Sequence, residues 1–376
     1  MRHQQVQAEW RRAQKALQAA ELLQQHGLAE DAISRAYDAI MHAAKAALLV
    51  HTVARKIVRG GKPSVEGLHV YCTPEPEMLR ADGEPRRHSR RLLTIHAHPD
   101  DETTKGGGSA ARYAAAGVGT VLICCTGGEA GSVLNPALDQ AEVKARLPEV
   151  RRAELTAATT HLGYQRVWML GYRDSNMPAS GEPGTFAAAP IEETVRALVR
   201  LIRQERPHVV VTYSDNQRGY QHPDHLRVHD ASVPAYKAAG DPAFHPELGA
   251  AWAPQKLYYA VWSRAGLMAE HEAFIRLGLE SPYNVERWQR RPSMDYRLTT
   301  KVFIGDHWEQ VQAALRAHAT QIDPNEKYWF GLPPEVARTT YPYDDYILAQ
   351  SAVPTQLPED DLFTGIKGDD GRPAET

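Results

Sequence analysis

The run His98-Pro99-Asp100-Asp101-Glu102 sets an imidazole beside adjacent carboxylates, directly after the apolar stretch Leu92-Leu93-Thr94-Ile95. A second run, Tyr220-Gln221-His222-Pro223-Asp224-His225, follows another apolar stretch, Val209-Val210-Val211. Strand ends are where open α/β sheets carry their chemistry, and these residue types are the ones that hold a divalent cation. His98 and Asp101 lie three apart, close enough to face one ion from a single turn, and His225 supplies a third ligand from the second run. Two imidazoles and one carboxylate leave positions open for water and substrate, as a catalytic zinc site requires; ferrous iron suits the same donors. Asp100 points elsewhere in that turn, free to act as general base towards a water at the open position. Tyr220 is placed to donate to the oxyanion that forms at an attacked carbonyl. His222, if protonated, is placed to deliver a proton to a leaving amine, with Asp224 holding its ring and raising its pKa. Together these groups suffice to hydrolyse an amide. The competing reading, helix capping by Asp100 and Asp224 and a plain surface turn at 222–225, would have to occur twice, each time after a buried strand.

Such side chains need a rigid scaffold. Strand-like runs at 92–95, 118–125, 167–170, 209–213, 257–262 and 300–304 alternate with helical stretches near 107–117, 142–162, 191–205 and 224–239. That alternation predicts an α/β, Rossmann-like fold: a mainly parallel sheet with helices on both faces. The domain is expected over 91–350, with an aromatic- and arginine-rich cap inserted at about 263–298. Residues 1–58 show apolar positions three and four apart (Val6, Trp10, Ala13, Leu17, then Ile33, Tyr37, Ile40, Ala44), which predicts an αα-hairpin. Gly- and Pro-rich 59–90 reads as a linker. The stretch 351–376, with Glu359, Asp360, Asp361, Asp369 and Asp370 among prolines and glycines, reads as a disordered acidic tail.

Composition narrows the partners. Hydrophobic residues at 43% and charged residues at 24% are enough for a soluble globular core. A net charge of -3 gives no general attraction to nucleic acid or to an anionic membrane, so neither is expected. No apolar run reaches spanning length, and no secretory segment is read at the start. Three cysteines, two of them adjacent in a strand (Cys124, Cys125), point to a reducing cytoplasm rather than a disulfide framework.

Ala97-His98-Pro99-Asp100-Asp101-Glu102, taken with His222-Pro223-Asp224-His225, resembles the LmbE/PIG-L-like zinc-dependent N-deacetylase superfamily over residues 90–350. Thr126-Gly127-Gly128-Glu129, Arg151-Arg152-Ala153-Glu154, Asp174-Ser175 and Ala314-Leu315-Arg316-Ala317-His318-Ala319-Thr320-Gln321-Ile322 are similar to the branch that handles mycothiol. The resemblance implies a zinc held by His98, Asp101 and His225, with Asp100 as base and Tyr220 and His222 serving the tetrahedral intermediate. It also implies that Glu129, Arg151 and Asp174 face glucosamine or inositol hydroxyls. Lys105, and Trp329-Phe330-Gly331-Leu332-Pro333 followed by Asp344-Asp345-Tyr346, resemble the S-conjugate amidases of that branch. The implied reaction is hydrolysis of the amide between a cysteinyl acyl group and glucosamine in a thiol S-conjugate, a detoxification step. The alternative is biosynthetic deacetylation of N-acetylglucosaminyl inositol or of a bacillithiol-type precursor. Residues 34–49 resemble part of the HEPN helical domain, which is read as degenerate and as a docking or homo-oligomerisation module, with a nucleic-acid-linked HEPN module as the remote alternative.

Overall fold

Unbroken aliphatic and β-branched runs must be covered on both faces, and the strands that carry them occupy the middle of one sheet. The computed structural model describes residues 74–82, 88–138, 140–217, 220–290 and 293–371; the hairpin expected over 1–58 lies outside them. In chain order the elements are β1 (Glu77–Ala81), β2 (Arg91–His96), α1 (Asp101–Thr104), α2 (Gly107–Ala115), β3 (Gly119–Thr126), α3 (Gln140–Ala145), α4 (Leu147–His161) and β4 (Arg166–Tyr172). They continue with α5 (Ile191–Glu205), β5 (Val209–Tyr213), α6 (Pro223–Ala239), β6 (Lys256–Val261), α7 (Arg264–Arg276), α8 (Val285–Gln289) and β7 (Thr300–Phe303). The last are α9 (Trp308–Ala317), α10 (Lys327–Phe330), α11 (Pro334–Thr340) and β8 (Tyr343–Ser351).

The strands pair in the order β1-β4-β3-β2-β5-β6-β8-β7. The five from β4 to β6 are parallel, and β1, β7 and β8 close the two flanks antiparallel. Every residue of β2, β3 and β5 is buried. Against one face pack α5 and α6, whose Leu198, Val199, Ile202, Val228 and Ala231 join Leu93, Ile95 and Val210. Against the other, Ala110 and Ala111 of α2, Leu155 and Ala158 of α4 and Ala314 of α9 meet Leu122 and Cys124. The α/β, mainly parallel reading holds. Cys124 and Cys125 are both fully buried in β3, and burial raises both thiols well above their usual range.

Two stretches depart from expectation. The 59–90 linker contributes β1, whose bulged pairing with β4 was hidden by its short, mixed sequence EMLRA. The tail is packed as far as residue 371: Leu362, Phe363 and Ile366 are buried with Leu92, Tyr113, Val209 and Tyr258. Two of its acids are matched to particular cations. Asp369 pairs with Arg91 at 2.7 Å, and Glu359, wholly buried, pairs with the equally buried Lys256 while accepting from Tyr258 Oη at 2.7 Å. Composition alone reads such acids as solvated, because the cations that neutralise them lie far away in sequence. Removing one member of a buried pair strands the other and costs about 3–5 kcal/mol. Glu359→Ala is therefore expected to lower the denaturation midpoint sharply, as measured by chemical unfolding; an unchanged midpoint would show that the tail contributes nothing to the fold.

Candidate metal centre

The chain runs β2, β3, β4 towards one edge and then returns to place β5 and β6 on the other side of β2. The crevice between the carboxyl ends of β2 and β5 is thus the switch point of the sheet. His98 follows β2, Asp101 opens α1, and His225 lies in the first turn of α6 after β5. In-register pairing of Leu92 with Val209 brings the two strand ends together.

Three buried side chains converge there. Asp101 Oδ2 lies 3.3 Å from His98 Nδ1 and 3.2 Å from His225 Nε2, and one donor atom from each residue lies within 4.8 Å of the other two. The other oxygen, Asp101 Oδ1, accepts from Lys105 Nζ at 2.6 Å. Burial pushes Asp101 up, but the charges of His225 and Lys105 and the bonds from both imidazoles outweigh it and hold the carboxyl well below its usual range. Tyr213 stacks flat on His225 at 4.6 Å and so fixes that ring.

A second set, His98, Asp174, His222 and Asp224, also meets the distance condition. The hydrogen bonds distinguish the two. Asp224 Oδ2 lies 3.2 Å from His98 Nε2 and accepts from Ser175 N at 3.0 Å, while Ser175 Oγ donates to Oδ1. An ionised carboxylate has no hydrogen to give, so His98 Nε2 is the donor and Nδ1 faces Asp101. A metal-ligating imidazole has this arrangement, its far nitrogen held by a carboxylate. The donor set of His98, Asp101 and His225 therefore fits a divalent cation. Burial opposes charge on His98, yet its bonds to Asp101 and Asp224 raise it to about 10, a measure of the anionic surplus at this point.

Asp100 stands apart. Its φ of 109° is in the left-handed region, uncommon for a non-glycine residue and costly by about 1–3 kcal/mol. Several bonds hold it there. Its N–H donates to Glu102 Oε2 at 2.8 Å, and its carboxylate accepts from Arg151 Nη2 at 3.1 Å. Arg151 also donates to the Pro99 and Gly128 carbonyls, and Glu102 is fixed by His318 Nε2 at 2.6 Å. Burial raises Asp100 above its usual pKa despite the Arg151 charge.

His222 differs from expectation. The Asp224 carboxylate lies 4.0 Å from His222 Nδ1 and is committed to His98 and Ser175. The Asp224 backbone N–H donates to Nδ1 instead, at 3.2 Å, because His222 is the N-cap of α6. Burial, followed by the charges of His98 and His225, lowers His222 to about 4 rather than raising it. With Nδ1 accepting from the Asp224 N–H, it is Nε2 that is left to carry a ring hydrogen. Tyr220 is 56% exposed, its ring 5.3 Å from His225, at the rim of the crevice.

The residues expected to meet a sugar have separate surroundings. Glu129 Oε1 accepts from Asp174 N at 3.1 Å, and Glu129 Oε2 is buried without a hydrogen-bond partner. Asp174 Oδ1 closes an Asx turn on Asn176 N at 2.9 Å, and its Oδ2 lies 3.8 Å from His98 Nε2. Arg151, only 2% exposed, supports Asp100 and the β3 loop. Lys105 spends its charge on Asp101.

The family model PIG-L, GlcNAc-PI de-N-acetylase, matches residues 93–236. A mycothiol S-conjugate amidase of Streptomyces coelicolor is 43% identical over 74% of this chain and 97% of its own length. The chain belongs to the PIG-L family. A 1D-myo-inositol 2-acetamido-2-deoxy-alpha-D-glucopyranoside deacetylase of Geodermatophilus obscurus is 40% identical over 74% of this chain and 99% of its length. Among solved structures, N,N'-diacetylchitobiose deacetylase from Pyrococcus horikoshii aligns with a TM-score of 0.49 and 18% identity, covering 71% of this chain and 86% of that one. A HEPN domain model matches residues 6–60.

Sequence reasoning about this PIG-L domain missed the residues that hold its reactive groups. Glu102 holds the base through the Asp100 N–H, while Ser175 acts one bond further out through Asp224 and His318 through Glu102. Glu102 closes the first motif and His318 lies in the 314–322 stretch, but nothing in their spacing shows that they meet.

Proposed function

We propose that this protein is a metal-dependent amidase that cleaves the amide between a cysteinyl acyl group and glucosamine in a mycothiol S-conjugate, in the cytoplasm. The observation that carries the reading is the buried His98, Asp101 and His225 set with Asp100 held beside it but outside it. The similarity to a mycothiol S-conjugate amidase over nearly all of that protein's length supports the choice of substrate. Zinc is the metal proposed, with ferrous iron equally suited to these donors. When bound, the metal polarises the amide carbonyl and acidifies a water.

The chain's own groups do the rest. Asp100 takes a proton from the attacking water as the new C–O bond forms. Tyr220 Oη and His222 Nε2–H donate hydrogen bonds to the oxyanion; neutral His222 serves as a donor to that oxygen, which replaces its expected role as proton source. Asp100 then passes its proton to the sugar nitrogen as the C–N bond breaks, leaving an amino-sugar and an N-acetylcysteine conjugate. Unpartnered Glu129 Oε2 and Asp174 on the β3 and β4 side accept from the sugar hydroxyls. The HEPN-like segment is proposed to act in docking or self-association.

The test is to incubate the protein with an S-alkylated mycothiol and, separately, with N-acetylglucosaminyl inositol while following amine release. Faster release from the conjugate is expected. Faster release from the plain sugar would favour the biosynthetic deacetylase, and release from neither would remove the reading.

A further inference from the structure

Trp262 directly follows β6, at the same edge of the sheet as His98 and His222, and leaves 53% of its surface open. It is nonetheless firmly held. The indole Nε1–H donates to the Thr104 carbonyl at 2.8 Å. The rings of Tyr328 and Trp329 back it, each with its centroid 6.3 Å away. Those two rings sit 4.8 Å apart, and Tyr283 supports Tyr328 at 5.0 Å. A rigid indole with an open face is a ready platform for another flat apolar group, since it loses little freedom when covered.

Its position relates it to the reacting groups. Lys105 Nζ lies 5.4 Å from the Trp262 ring centroid and 2.6 Å from Asp101 Oδ1, so a single ammonium links the indole to the metal-site carboxylate. Sheet order then fixes direction. Glu129 and Asp174 follow β3 and β4 on one side of β2, whereas Trp262 follows β6 on the other side, beyond β5. An amide placed at His98 with its sugar towards Glu129 and Asp174 extends its acyl chain towards Lys105 and Trp262. In an S-conjugate that chain carries a sulfur bearing whatever group the thiol has trapped.

We infer that Trp262, backed by Tyr328 and Trp329, is a subsite for an apolar, above all aromatic, substituent on the sulfur of the acyl group, and that it sets the preference among conjugates. The inference rests on the amidase reading for the end of the amide that faces Trp262. Lys105 borders the subsite, its ammonium paired with Asp101 and 5.4 Å from the indole centroid.

The experiment measures binding, independently of turnover. Calorimetric affinities of the zinc-loaded full chain are compared for N-acetyl-S-benzylcysteine and N-acetyl-S-methylcysteine, which differ only in the ring. A benzyl-to-methyl affinity ratio of about 10 is expected for the unaltered protein, as one stacked ring provides. The ratio is expected to fall to about 1 in Trp262→Ala and to recover in Trp262→Phe, which restores a ring but not the bond to Thr104. If the alanine variant does not fold, Trp262→Leu takes its place and is expected to halve the ratio at least. A ratio near 1 in the unaltered protein, or one that survives loss of the ring, overturns the proposal. Failure to hydrolyse any conjugate, with the ratio intact, would remove the amidase reading while leaving the subsite.

Discussion

Asp100→Asn is expected to lower kcat by about 1,000-fold, within the range of about 100- to 10,000-fold that a general base contributes. The variant is chosen for its backbone. Asparagine tolerates the positive φ that Asp100 adopts, and its side-chain oxygen still accepts from Arg151. It cannot take a proton. Melting temperature and bound metal per chain should both match the unaltered protein, so the loss would be one of chemistry alone. A kcat within about threefold of the original would remove Asp100 from the proton path.

Loss of the metal should have the larger effect. Stripping the protein with a chelator is expected to take activity to background, and adding zinc or ferrous ions should restore it; full turnover by metal-free protein would defeat the mechanism. His225→Ala should abolish stoichiometric metal binding outright, because it removes one of three converging donors. Ser175→Ala gives a subtler result. Ser175 touches none of those donors, yet it holds the Asp224 carboxylate that orients His98. Metal affinity is expected to fall about 10- to 100-fold, as for other losses behind a ligating imidazole. An unchanged affinity in a competition titration would show that the Ser175–Asp224–His98 chain does not tune the site.

The parts of this protein legible in its sequence are those dictated by local pattern. Central strands such as β3 and β5 declare themselves as unbroken apolar runs, and α5 by its apolar stripe, because burial on two faces or on one stripe leaves a periodic mark. The flanking strand β8 carries Asp344 and Asp345 beside Tyr346 and Ile347, a mixture that betrays no period until β6 and β7 are known to lie on either side. The site follows the same division. His98, Asp101 and His225 come together as expected because two motifs sit at the ends of adjacent strands. Which imidazole Asp224 serves depended on a hydrogen bond to Ser175 and on the capping of α6 by His222. Pairing across distant segments, as between Glu102 and His318 or Arg151 and Asp100, leaves no trace in spacing.

The burial of Cys124 and Cys125 bears on the chemistry such a protein would face. Alkylating agents attack thiolates, and these two side chains are sealed in β3 and kept protonated by their surroundings. The hydrolase domain can therefore work amid the electrophiles whose adducts it would dismantle, with neither of these sulfurs offered as a target.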